Sequence, residues 1–106
     1  MRYERGYVVV AADPLGDTPR RPYLIVSDDS HPFAGRQYIA LGISTQEYEE
    51  SIPLAGEFVE GELNRASFVS PWAIHSPRSE DLVAWQGRVT DEFVDRVVDS
   101  LETYLR

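Results

Sequence analysis

The sequence predicts a mainly β fold, a small β-barrel followed by one C-terminal amphipathic helix. Three observations carry this prediction. Short apolar runs, rich in β-branched and aromatic residues, recur up to Trp85, bounded by Gly, Pro, Asp or Ser. From Thr90 onward the apolar residues recur at spacings of three and four instead. At 106 residues and 42% hydrophobic, the chain suffices to close one core but not two, so 1–106 is expected to be a single domain.

The first run, Gly6-Tyr7-Val8-Val9-Val10-Ala11-Ala12, predicts a strand closed by Asp13-Pro14. A turn-rich loop, Leu15-Gly16-Asp17-Thr18-Pro19, follows. The second run, Arg20-Arg21-Pro22-Tyr23-Leu24-Ile25-Val26-Ser27-Asp28-Asp29, is the centre of the chain. Its apolar part is too short for a helix and lies between Pro22 and a polar turn, so it reads as a buried strand. Pro22 costs no ladder bond at the first strand position and holds Arg21 at a defined strand mouth. After a loop from Ser30 to Gly35, residues 37–43 form a third strand that ends in the hydroxyl pair Ser44-Thr45. Short connections between these strands predict a meander.

Beyond Gln46 the pattern weakens, and Glu47, Glu49 and Glu50 belong to a solvated face. Apolar islands at 57–60, 66–69, 71–74 and 81–85 have the spacing of short barrel strands, with Trp85 expected in the core. In the predicted helix, residues 90–105, the stripe Phe93, Val94, Val97, Val98, Leu101, Tyr104 and Leu105 opposes Asp95, Arg96, Asp99 and Glu102. Thr90 is a good N-cap, and Asp91 and Glu92 suit the positive end of the helix dipole. The stripe must be covered by the barrel or by a second copy, and its breadth predicts a symmetric homodimer.

The charge balance is unusual. Asp and Glu number 18 against 10 basic residues, all of them arginine, for a net charge of −8. Such a chain is repelled by nucleic acid at low salt. At ~1 M salt the screening length falls to roughly 3 Å and the repulsion loses its range. A halophilic source is one reading; an acidic protein whose partner is not a polyanion is the other. The absence of cysteine excludes disulfides, thiolate metal sites and a thiol nucleophile. No apolar run approaches the length of a membrane span or a signal peptide, so the expectation is a cytoplasmic protein with no membrane partner.

Several segments, in this order, resemble the MazF/PemK family of toxins. They are Gly6-Tyr7-Val8-Val9-Val10 through Asp13-Pro14; Arg20-Arg21-Pro22 with Leu24-Ile25-Val26-Ser27-Asp28-Asp29; Ile43-Ser44-Thr45-Gln46; Ser67-Phe68-Val69; and Gly87-Arg88-Val89-Thr90 with its helix. The Arg-Pro, apolar strand and Ser-Asp-Asp block is the most specific of these. The resemblance implies a Src-homology-3-like barrel with a C-terminal helix, usually a homodimer. It also implies an endoribonuclease, without metal or other cofactor, that cuts single-stranded RNA and is held inactive by a cognate antitoxin.

Such cleavage aims a 2′-hydroxyl at its own phosphate, stabilises charge on the phosphorane and protonates the leaving oxygen. Arg21 matches the family's catalytic arginine, whose planar fork bonds two phosphate oxygens at once. The alternative is a surface arginine paired with Asp13 or Asp17. Ser44, with Thr45 beside it, stands where the family has a phosphate-binding threonine. Equally, both hydroxyls satisfy backbone groups at a strand end. Arg20, Ser27, Gln46, Trp72 and His31 are expected to contact RNA, Trp72 by stacking, with a core position as the alternative for Trp72. Where some members carry an aspartate, this chain has Ser70-Pro71-Trp72, which removes one candidate general base. His31 and His75 are the histidines present; His31 is preferred as a general base because its loop could bring it near Arg21 in a barrel mouth, and the alternative for both is a solvent-exposed, idle side chain. The second functional reading is a non-catalytic small-barrel module that binds a protein partner.

Overall fold

In the computed structural model, residues 2–12 and 20–106 are described. The loop expected over 15–19, and the Asp13-Pro14 expected to close the first strand, lie outside the described residues. The elements run β1 (Tyr7–Ala12), β2 (Arg20–Ile25), β3 (Ala40–Ser44), β4 (Ile52–Pro53), β5 (Phe58–Gly61), β6 (Phe68–His75), a 3-10 turn (Ser79–Asp81), β7 (Leu82–Val89) and α1 (Asp91–Glu102). All seven strands form one antiparallel sheet in the order β4-β6-β3-β2-β1-β7-β5, curled into a half-barrel. The predicted meander is the β1-β2-β3 run at its centre.

Successive strand residues face opposite sides, and here both sides are covered. Val8, Leu24, Leu41, Ile43, Val69 and Val89 pack with Phe93, Val94, Val97 and Leu101 of α1. Val9, Ala11, Tyr23, Ile25, Ala40 and Leu82 pack on the opposite face with Tyr38, and Tyr3 and Tyr7 lie against them. The helix stripe is therefore used within the chain, and only its tail, Tyr104 and Leu105, stays exposed. Thr90 caps the helix as expected, its Oγ1 accepting from the Phe93 N–H at 3.2 Å.

Two further sequence expectations are revised. The islands at 66–69 and 71–74 belong to one strand, β6, because the break at Pro71 is absorbed as an irregularity. Between the β3 residues Leu41 and Ile43 the partner on β6 steps from Ile74 to Val69. A proline that cannot donate to a ladder is tolerated at such a place. Trp85 is not core. It is 36% exposed, because β7 is bulged against β1 on both sides of its pairing with Val9, and its ring leans edge-on against Tyr7 at 6.2 Å.

Candidate active site

Register brings together residues that are distant in sequence. In the β2–β3 pair, Tyr23 lies opposite Gly42 and Leu24 opposite Leu41. Tyr23–Gly42 is the last of these pairs, and continuing the register two residues past it brings Arg21 opposite Ser44. On its other side Arg21 pairs with Ala11 of β1, and Ser44 pairs with Phe68 of β6. Residues opposite one another share a face, as do residues two apart on a strand. One face therefore carries a row of Ala11, Arg21, Ser44 and Phe68, then a row of Val9, Tyr23 and Gly42, then Ile25, Ala40 and His75.

The rows differ in exposure. Arg21 is exposed and Ser44 half-buried, while Ala11 and Tyr23 beside them are buried. A guanidinium thus rises from a packed floor, with Pro22 fixing the backbone immediately after it. The His75 ring is exposed and tilts across β3, its centroid 4.7 Å from that of Tyr23, edge-on at 67°.

The Ser44 hydroxyl accepts the Gln46 N–H at 3.0 Å, which ties it to the turn after β3 and orients it. Thr45 and Gln46 are exposed in that turn. Two residues on, Tyr48 meets Trp72 edge-on at 5.8 Å, and both rings are partly open to solvent. Arg20 immediately precedes Arg21 on the strand and so points to the other side of the sheet.

Ser27 and His31 lie beyond the opposite end of β2 from Arg21. Ser27 Oγ accepts the Ile39 N–H at 2.9 Å, and His31 Nδ1 accepts the Phe33 N–H at 2.9 Å. Both line a separate cavity of about 600 Å³ with Val26, Phe33, Gln37 and Ile39. The structure thus gathers Arg21, Ser44, Thr45 and Gln46 at one end of the strands, with Trp72 held against Tyr48 of the same turn. It sets Ser27 and His31 apart from them. His75 and Tyr23 join the Arg21 face, which sequence spacing alone could not indicate because cross-strand adjacency depends on register.

Charge is unevenly distributed. Arg2, Arg5, Arg78, Arg88, Arg96 and Arg106 each sit within ion-pair distance of a carboxylate, on Asp29, Asp95, Glu80, Glu60, Glu57 and Glu102 respectively. Their charge is largely neutralised where they stand. Another cavity, also about 600 Å³, has Glu4, Asp28, Asp29 and Asp91 in its wall together with Arg5 and Arg88. There the Ser30 hydroxyl and N–H both donate to Asp28, holding its carboxyl below the usual range and keeping it charged. That wall is a poor place for a phosphate. Among the described residues no group of three or more His, Asp or Glu is placed to hold a metal ion, and no helix is long and apolar enough to cross a membrane.

No family model matches the sequence, and no curated protein matches it. Solved structures do match the fold. An endoribonuclease in complex with its cognate antitoxin from Mycobacterial species superposes with a TM-score of 0.75 at 19% identity, over 98% of this chain and 93% of that one. The MazE-MazF structure from Deinococcus radiodurans gives 0.74 at 15% identity, over 99% and 96%. The Mycobacterium tuberculosis toxin MazF-mt6 gives 0.73 at 19% identity, over 93% and 95%. The half-barrel and its C-terminal helix are thus the fold of the MazF structures.

Proposed function

We propose that this protein is the toxin of a toxin–antitoxin pair, an endoribonuclease that cuts single-stranded RNA at a short sequence. The reading is carried by Arg21 of β2 and Ser44 of β3, which fall on one sheet face and come opposite one another when the β2–β3 register is continued two residues past Tyr23–Gly42. The shared fold supports it, since solved structures of that fold are described as endoribonucleases, one with its cognate antitoxin.

In this reading Arg21 holds two oxygens of the scissile phosphate and stabilises the charge that builds on the phosphorane. The Ser44 hydroxyl, oriented by the Gln46 N–H, donates its proton to a phosphate oxygen, and Thr45 supports it. Trp72 with Tyr48 offers an aromatic platform for a neighbouring base. Gln46 contacts RNA beside Ser44, Arg20 contacts it from the strand edge, and Ser27 and His31 contact it at the far end of β2. The attacking group is the substrate's own 2′-hydroxyl, so the products carry 2′,3′-cyclic phosphate and 5′-hydroxyl ends, with no metal or cofactor required. The antitoxin covers this face, and the protein works in the cytoplasm.

A homodimer belongs to the same reading. The helix stripe is occupied within the chain, and an exposed apolar side chain left for a second copy to cover is that of Ile74, at 48%. Light scattering at micromolar concentration and high salt should give the mass of a dimer; a monomer would remove this part.

The experiment is to incubate the purified protein with mixed-sequence RNA in EDTA and high KCl and to map the ends. Cuts at a recurring short motif with cyclic-phosphate ends are expected. The acidic surface and the backbone bond already held by Ser44 favour a second reading, a protein-binding module without catalysis. Intact RNA at every salt concentration would favour it.

A further inference from the structure

We propose that His75 is the general acid of the reaction, the group that protonates the leaving 5′-oxygen; this rests on the ribonuclease reading of the Arg21 face. His75 is carried by β6, and its backbone pairs with Ala40, one row beyond the Tyr23–Gly42 row. Its ring does not stay over that row. It tilts back toward the site, edge-on to Tyr23, and Nε2 lies 3.8 Å from where a Cβ on Gly42 would stand. Gly42 leaves the ring room, and a side chain there would also press on Ala73 at 3.2 Å. Tyr23 is buried, and the His75 ring meets it edge-on.

Arg21 and Tyr23 are two residues apart on one strand face, about 6.6 Å along it, a span that a guanidinium on its three-carbon stem covers. A phosphate held between Arg21 and the Ser44 hydroxyl therefore has the His75 imidazole on the Tyr23 side. Among the described residues of these rows there is no carboxylate, and of the proton-bearing rings there Tyr23 is buried whereas the imidazole is exposed.

The chemistry balances. The 2′-oxygen forms its bond to phosphorus as its proton passes to water. The P–O5′ bond breaks, and its electron pair takes the proton from Nε2 of the imidazolium. Water returns a proton to the neutral ring for the next turnover. His75 thus fills the proton-transfer role that Ser70-Pro71-Trp72 leaves without a carboxylate.

The alternative is that His75 only packs on Tyr23, and two variants with two substrates separate these roles. His75→Phe keeps an aromatic ring against Tyr23 and carries no proton; His75→Gln keeps polarity without an acid. The substrates are a single-stranded RNA cut by the wild type and the same RNA with sulfur replacing the 5′-bridging oxygen at the scissile bond. A thiolate leaves without protonation. Both variants should cut the oxygen substrate 10²- to 10⁴-fold more slowly than the wild type, yet cut the sulfur substrate within a few-fold of it. Melting curves should match the wild type. His75→Phe cutting the oxygen substrate at the wild-type rate, or equal slowing on both substrates, would overturn the role of His75 and leave the nuclease reading standing. A wild type that cuts neither substrate would overturn both.

Discussion

At the residue scale the arrangement turns on Arg21 and Ser44, and they were legible to different degrees. Arg21 could be placed at a strand mouth because its context is local, an arginine followed by proline before an apolar run, whereas its catalytic role was legible only through the family resemblance. Ser44 was legible only as a hydroxyl at a strand end. The structure adds that its Oγ accepts from Gln46 N–H and that the β2–β3 register sets it across from Arg21. Accepting that bond does not occupy the hydroxyl's own proton, which stays available to a phosphate oxygen. Ser44→Ala should therefore slow cleavage by a smaller factor than loss of Arg21, and Ser44→Ala with Thr45→Ala should approach the arginine variant. Single-turnover rates decide it, and a double variant no slower than Ser44→Ala would remove Thr45 from the site. His75 was not legible in the same way, because its nearness to Tyr23 depends on the irregular pairing of β6.

At the element scale the sequence was most informative where periodicity is strongest. The stripe from Phe93 to Leu101 predicted α1 to within a turn, and Thr90 marked its start. Because Thr90 Oγ1 satisfies the otherwise unpaired Phe93 N–H, Thr90→Ala should lower unfolding stability by about 1 kcal/mol, read from urea melts. An unchanged midpoint would mean that tertiary packing alone holds the helix end. Strand boundaries were harder to read, and Pro71 is the reason for β6. Its missing N–H argues against a strand locally, yet an irregularity in the pairing with β3 accommodates it, and the residue is fully buried. Trp85 failed as a core residue for a related cause. Residue type favours burial, but the bulges in β7 that flank its pairing with Val9 leave one side of the ring open.

At the scale of the whole molecule, the fold places a cationic residue on a protein of net charge −8. The arginines paired with carboxylates add little to the field that approaching RNA experiences, so the long-range repulsion is the protein's dominant electrostatic feature at low salt. If the acidic surface is a halophilic adaptation, the melting temperature should rise from low to molar KCl as carboxylate repulsion is screened. A flat or falling melting temperature would count against that origin. RNA cleavage should likewise be measurable at high KCl, where the approach of a polyanion is least opposed. The central claim is that Arg21 supplies fixed positive charge at the scissile phosphate, and the most direct measurement is the single-turnover rate of RNA cleavage in EDTA at high KCl by wild type, Arg21→Ala and Arg21→Lys. Arg21→Ala should lose at least ~10²- to 10³-fold with unchanged folding, and Arg21→Lys should recover little because one ammonium cannot reproduce the two-pronged guanidinium. An Arg21→Ala protein that cuts RNA at the wild-type rate would contradict it.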